Sequence, residues 1–293
     1  MSVKRSGLSS AQRSSTENWL SPVASANDTN RRLAMLIDGD NASAAIIGEM
    51  LAETSKYGLV TIRRIYGDWT ESNMKSWKET LQSHALQPIQ QFRNTVGKNA
   101  TDSAMIIDAM DILYTSGVDG FCLVSSDSDY TRLAIRIREK NLFVMGIGRL
   151  LTPRSFVNAC DLFVYTENLA KSEAPPEIVT KPPTPTKATP AKPDEEAAEP
   201  PADVRVLFRM AYDLAVQEDG WAFLGAMGNK LRQLDPAFDP RTYGHRQLLS
   251  LIQAYPNMFE VRKSRPAKGG ASAIYVRLKG RAAPPAKSGT SGD

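Results

Sequence analysis

The chain has 293 residues, 42% of them apolar and 23% charged, with a net charge of +4. That length suits two domains, each able to bury a core. The first thirty residues lack the apolar segment of a secretory signal, and no run approaches ~18 apolar residues, so a membrane span is not expected.

Residues 1–30 are polar and Ser-rich and read as a disordered arm. From there to residue 170, strand and helix signals alternate. Leu33–Ile37 is a continuous apolar run, followed by a helix carrying Ile46, Ile47, Met50 and Leu51. Leu59–Tyr66 reads as a strand, Lys75–His84 as a helix and Leu86–Ile89 as a short strand. Asp102–Tyr114 reads as a helix with Met105, Ile106, Ala109, Ile112 and Leu113 on one stripe. Phe121–Ser125 is a strand, Tyr130–Lys140 a helix, and Leu142–Gly148 and Leu162–Tyr165 are the last strands. Continuous apolar strands separated by amphipathic helices predict an α/β domain over 31–170. Its sheet is doubly wound and mostly parallel.

Residues 171–202 hold 9 of the 18 prolines and almost no large apolar side chain, which predicts a disordered linker. Beyond it, Val204–Gln217, Leu224–Leu234 and Tyr243–Ala254 read as helices. Met258–Lys263 and Ala273–Leu278 read as two alternating strands. Three helices and a hairpin predict a winged-helix domain over 203–280, a type that commonly binds nucleic acid. Residues 281–293 read as a disordered tail. Cys122 and Cys160 form no CxxC pair and read as buried thiols, which suits a reducing, cytoplasmic setting.

Charge separates the two regions. Residues 31–170 carry 15 basic and 16 acidic residues, about −1, whereas residues 203–281 carry 13 and 7, so +6. A basic module beside an acid-lined one suits a polyanion held by one part and worked on by the other.

The acids of the first region sit where strands end. Asp38 follows the first strand in IDGDN, and Asp127 follows the fourth in SSDSDY with Asp129 two residues on. Asp102 opens the helix between the third and fourth strands. With strand order 3-2-1-4-5, all four converge at the switch point where open parallel sheets bind ligands. Each alone has a plain structural reading, as turn former or helix cap. Together they suit Mg²⁺ or Mn²⁺, hard cations that prefer oxygen ligands. Asp40 and Asp108 are expected outside the first set of ligands. Asp161 precedes the last strand, at the wrong end of the sheet. Asn41 either caps a helix or binds a phosphate or metal-bound water. Lys98 is either a phosphate contact or an exposed loop lysine, and Ser125 and Ser126 either orient water or finish a strand.

LAMLIDGDN, IRRIYGDWT, GKNATDSAMIIDAMDILY, FCLVSSDSDYTRLAIRIRE and ACDLFVY, in that order over 33–169, closely resemble the NYN domain family of PIN-like nucleases. The resemblance implies a metal-dependent ribonuclease. It carries the metal-site roles onto Asp38, Asp102, Asp127 and Asp129, with Asn41 and Ser126 adjoining. Lys98 and Asn99 match the loop before the second acid. WAFLGAMGNKLRQL, FDPRTYGHRQLLSLIQAYPNMFEV and AIYVRL resemble an OST-HTH, or LOTUS, domain. That resemblance implies RNA binding, with single-stranded or structured RNA as the partner. The expected contacts are Lys230, Arg232, Arg241, Tyr243, His245, Arg246, Arg262 and Lys263.

The expected activity is therefore a metal-dependent endoribonuclease, tethered by a flexible linker to an RNA-binding domain, with a homodimer left open. Two alternatives stand beside it. One is a non-catalytic RNA-binding regulator. The other is a phosphatase of the haloacid dehalogenase type, with Asp38 as nucleophile and Asp40 as acid/base.

Overall fold

The apolar runs of the first region form a sheet buried on both faces, because strands joined by helical crossovers are covered above and below. A computed structural model of the chain describes residues 31–92, 100–170, 201–264 and 273–279. The arm 1–30, linker residues 171–200 and the tail 281–293 lie outside the described residues, as do Lys98 and Asn99.

Six strands, β1 (Arg32–Asp38), β2 (Leu59–Gly67), β3 (Gln87–Gln90), β4 (Gly120–Val124), β5 (Phe143–Gly148) and β6 (Leu162–Tyr165), pair in the order β3-β2-β1-β4-β5-β6. Every pairing is parallel. The order reverses between β1 and β4, so their carboxyl ends flank one crevice, as expected for a doubly wound sheet. Residues Leu33 to Ile37 are wholly buried, alternating between two cores. Ala34 and Leu36 pack with α3 (Ala100–Thr115), α4 (Thr131–Glu139) and α5 (Arg154–Ala159). Met35 and Ile37 pack on the other face with α1 (Ile47–Ser55), α2 (Lys75–Thr80) and α6 (Thr166–Ala170). Cys122 and Cys160 are free, buried thiols.

The second region has α7 (Ala202–Ala215), α8 (Leu224–Leu234) and α9 (Leu248–Gln253). Its sheet runs β7 (Ala222–Phe223), β9 (Ala273–Leu278), β8 (Phe259–Ser264), all antiparallel. Phe208, Met227, Leu231, Leu251 and Phe259 form its separate core.

Two expected helices are shorter than their patterns. The one begun at Lys75 ends at Thr80, and the chain turns before Ala85, whose φ is 50°. The one expected from Tyr243 begins only at Leu248, because a 3₁₀ turn over Pro240–Tyr243 ends on Gly244 at φ 80°. That left-handed conformation suits glycine and stops a helix. The short elements α5, α6 and β7 were not legible, since two to six residues carry too little periodicity.

The two domains touch, which the picture of a tether leaving geometry unfixed did not anticipate. The Phe163 N–H at the sheet edge donates to the Pro236 carbonyl at 2.9 Å, and Ala237 is buried within the first domain's core.

Gly39 sets how closely the first strand end can approach the second. A Cβ there would lie 2.7 Å from the Tyr66 carbonyl oxygen and 2.8 Å from the Met74 methyl. Gly39→Ala is expected to lower stability by about 1–3 kcal/mol, as overpacking does. It should also displace Asp38, detectable as a lower Tm together with altered divalent-cation binding.

Candidate active site

The crevice at the sheet's carboxyl edge gathers the acids from separate elements. Asp127 follows β4 and caps the 3₁₀ turn Ser128–Tyr130, accepting from the Asp129 N–H at 2.9 Å. That cap holds Asp127 and Asp129 side by side. Asp102 lies in the first turn of α3 and accepts from the Tyr130 hydroxyl at 2.7 Å. The carboxylates of Asp102, Asp127 and Asp129 each offer an oxygen within 4.8 Å of the others. Such all-oxygen, anionic donors match the preferences of Mg²⁺ and Mn²⁺.

Asp38 stands deeper. It is fully buried, and its Oδ2 accepts from Asn41 Nδ2 at 2.7 Å and from Ser125 Oγ at 2.9 Å. Its Oδ1 accepts from the Asp40 N–H at 3.2 Å. Asp38 is therefore not one of the three mutually close carboxylates, although it feels Asp102 electrostatically. Burial pushes its pKa up, and the nearby Asp102 and Asp40 add to this against the opposing hydrogen bonds. Burial likewise raises the pKa of Asp102, with Asp127, Asp129 and Asp40 adding to it against the Tyr130 hydrogen bond.

Asn41 thus orients Asp38, and Ser125 does the same from the neighbouring strand. Ser126 accepts from the Arg149 N–H at 2.9 Å, tying the end of β4 to the loop after β5. Asp161 accepts from the Val144 N–H where β5 begins, at the opposite end of the sheet as expected. Asp108 pairs with Arg64 at 2.6 Å and accepts from the Tyr66 hydroxyl.

Asp40, expected outside the first set of ligands, lies outside the group of three; it accepts from Asn73 and, at 3.2 Å, from Thr101 beside Asp102, so it adds to the field of the crevice. One residue was missed. Tyr130 is fully buried, and burial with Asp38, Asp102 and Asp127 around it holds its phenol above the ordinary range, so it remains a donor. Its place in SSDSDY was visible, but only the fold shows that it reaches α3. Beside the acids, a cavity of about 400 Å³ is lined by Asn41, Ile46, Ser125, Ile147, Arg149 and Glu167.

In the second domain the expected contacts divide. Arg241 is committed: its guanidinium bonds Asp239 and reaches Glu53 of the first domain at 3.0 Å. Tyr243 is partly buried and packs near Phe238, with ring centroids 6.1 Å apart. Lys230 and Arg232 bond Gln233 and Asn229 along α8. Arg246 and Lys263 are exposed and His245 is half-buried. The Arg262 guanidinium lies 4.3 Å from the Trp221 ring centroid, and that of Arg277 lies 4.8 Å from it. Tyr275 is also within reach of Arg262, so the wing carries a cation–aromatic stack. Trp221, Tyr275 and Arg277 had not been singled out.

Family comparison accounts for both halves. An NYN domain matches residues 32–169 and an OST-HTH/LOTUS domain residues 195–270. The chain joins an NYN domain to an OST-HTH/LOTUS domain. The first is a PIN-like nuclease domain and the second an RNA-binding one, which together mark a protein that cleaves or binds RNA. No curated protein matches the chain. Among solved structures, a protein of unknown function from Vibrio parahaemolyticus is 20% identical, with a TM-score of 0.41 over 47% of this chain and 94% of its own. An uncharacterized protein from Nitrosomonas europaea is 28% identical, with a TM-score of 0.25 over 34% of this chain and 92% of its own. No helix among the described residues is long and apolar enough to cross a membrane.

Asp38 and Asp102 hold their protons more tightly folded than unfolded. The stability this brings is present at low pH and is lost as pH rises through their folded pKa values. Near neutral pH the metal-free fold is therefore held against its own carboxylates. Asp102→Asn keeps an acceptor for Tyr130 and removes one charge. It is expected to raise the metal-free Tm by a few degrees near pH 7 and to lose most of the Tm increase that Mn²⁺ gives the parent. Differential scanning fluorimetry with and without Mn²⁺, near pH 5 and pH 7, measures both.

Proposed function

We propose that the protein is a Mg²⁺- or Mn²⁺-dependent endoribonuclease whose OST-HTH domain holds the RNA. The observation that carries this reading is the convergence of the Asp102, Asp127 and Asp129 carboxylates within 4.8 Å. Three carboxylates so close repel one another, and a divalent cation removes that conflict. Asp102, Asp127 and Asp129 would hold the cation, and Asp38 would complete the negative field from below.

A cation at this position supplies charge neutralisation at the phosphodiester and activation of water. The protein's own groups supply placement. Tyr130 fixes Asp102, the capped turn fixes Asp127 and Asp129, and Asn41 with Ser125 fixes Asp38. The water oxygen bonds to phosphorus in line with the departing 3′ oxygen. The P–O3′ bond breaks and the departing oxygen takes a proton from solvent, leaving a 5′-phosphate and a 3′-hydroxyl. No histidine serves as base among the described residues of the crevice, so the carboxylates are the groups that take the proton from water. The adjoining cavity of about 400 Å³, with Ile46 and Ile147 as its apolar walls and Arg149 at its side, suits a nucleotide flanking the cleaved bond.

The phosphatase reading loses support from the same geometry. Asp38 is buried with both oxygens hydrogen-bonded, a poor nucleophile, and Asp40 is held by Asn73 and Thr101. On the second domain, Arg246, Arg262 and Lys263, with Tyr275 beside Arg262, are the groups proposed to meet RNA. Cations beside aromatic rings suit unpaired bases and their phosphates.

Asp127→Asn keeps the cap acceptor, so the fold should survive. It is expected to lower the cleavage rate at least about a hundredfold, a loss of about 2.7 kcal/mol of transition-state stabilisation. A Mn²⁺-dependent cleavage assay on single-stranded and structured RNAs, with analysis of product ends, checks this. An uncut panel with wild-type protein would leave the RNA-binding regulator. Separately, Arg246→Glu with Lys263→Glu is expected to weaken RNA binding and flatten its salt dependence, measured by fluorescence anisotropy over a salt series.

A further inference from the structure

One short segment of the OST-HTH domain, Asp235–Tyr243, makes specific contacts with four elements of the NYN domain. Asp235 pairs with Arg154 of α5 at 3.1 Å. The Pro236 carbonyl accepts from the Phe163 N–H of β6 at 2.9 Å. Asn168 of α6 donates to the Thr242 hydroxyl at 2.9 Å. Arg241 reaches Glu53 of α1 at 3.0 Å.

The character of these groups shows that the contact is built on both sides. Glu53 and Asn168 are 6% and 3% exposed, and buried polar groups of this kind need partners. Lys56 also pairs with Glu53, but it is largely exposed and covers one side only. Strand β6 is the edge of the sheet, where unpaired N–H groups invite unwanted pairing, and the Pro236 carbonyl takes one of them. Arg241 is aimed before it reaches Glu53, since Asp239 accepts from both its backbone N–H and its guanidinium. Burial alone would lower the Arg241 pKa, but the hydrogen bonds to Asp239 and Glu53 outweigh it and keep the guanidinium charged. An arginine so oriented loses little freedom when it pairs.

We propose that the OST-HTH domain is seated on the NYN domain through residues 235–243, locked by the Glu53–Arg241 pair, and so presents bound RNA to the acid crevice at a fixed offset. Only the last clause rests on the ribonuclease reading. The seating stands on the contacts alone. It makes Arg241 a positioning residue, and it makes the linker a connection whose length matters little.

The first test uses the full chain with a site-specific protease sequence inserted between Thr186 and Lys187. After cleavage, the two fragments should co-elute on size exclusion. Arg241→Glu should weaken their association roughly a hundredfold, the scale of breaking a buried, hydrogen-bonded charge pair, and separate them. Combining it with Glu53→Arg should restore co-elution, which also shows that the single variant had not simply misfolded. Separate elution of the parent fragments, persistence of the complex in Arg241→Glu, or no rescue by the exchange would each overturn the lock. The second test inserts about 20 Gly and Ser residues at the same point. A seated domain keeps the same cleavage positions on a defined RNA, whereas a loosely tethered one spreads them, and spreading would overturn the fixed offset. If the parent cleaves no RNA, the ribonuclease reading fails while co-elution still decides the seating.

Discussion

Carboxylates held within 4.8 Å of one another repel, and the NYN domain is arranged so that they stay together without giving way. Two of them, and Asp38 beside them, are held by neutral donors: Tyr130 on Asp102, a backbone N–H on Asp127, and Asn41 with Ser125 on Asp38. A lysine or arginine salt bridge would relieve the repulsion and compete with a metal for the same oxygens. Neutral donors fix orientation while leaving the negative potential in place. The contrast with Asp108, paired to Arg64, and Asp161, paired to Arg138, is chemical: those acids are neutralised and lie outside the group of three.

The sheet makes that arrangement possible. Parallel strands end together, and the reversal of order between β1 and β4 opens a crevice there. Gly39 lets the chain leave β1 tightly against Tyr66, and Ser125 ends β4 one residue beyond the ladder with its hydroxyl on Asp38. Two strands separated by more than eighty residues thus share one carboxylate. The wholly buried Tyr130 couples this edge to α3, so the rigid core beneath the site and the placement of its acids are one packing problem.

Much of this was legible because its signals are local and repeated. Leu33–Ile37, Phe121–Val124 and Leu162–Tyr165 are apolar runs that only a doubly covered strand explains, and strand order then placed Asp38 and Asp127 together. Asp40 stays outside the group of three, as its place beyond the strand end implied, but its bonds to Asn73 and Thr101 depend on loop packing that no local pattern shows. Tyr130 went unnoticed because an aromatic opening a helix looks like core, which it is, and nothing in its spacing from Asp102 shows that its hydroxyl reaches that acid. Trp221, Tyr275 and Arg277 come together only through the β7-β9-β8 pairing, whose two-residue strand β7 has no sequence signature.

Arg241 shows how composition misleads at a domain boundary. A basic residue beside a tyrosine in a basic domain has the profile of an RNA contact, and charge alone cannot separate that from an internal ion pair. What separates them is the burial of Glu53, a carboxylate on α1 that reads as an ordinary helix-face acid until the second domain covers it. A buried acid far from the crevice, facing an arginine aimed by its own Asp239, is better explained by assembly than by chemistry. The excess of positive charge in the second domain therefore divides into two populations. Arg241 is directed inward toward the NYN domain, and Arg246, Arg262 and Lys263 are exposed on the outer surface.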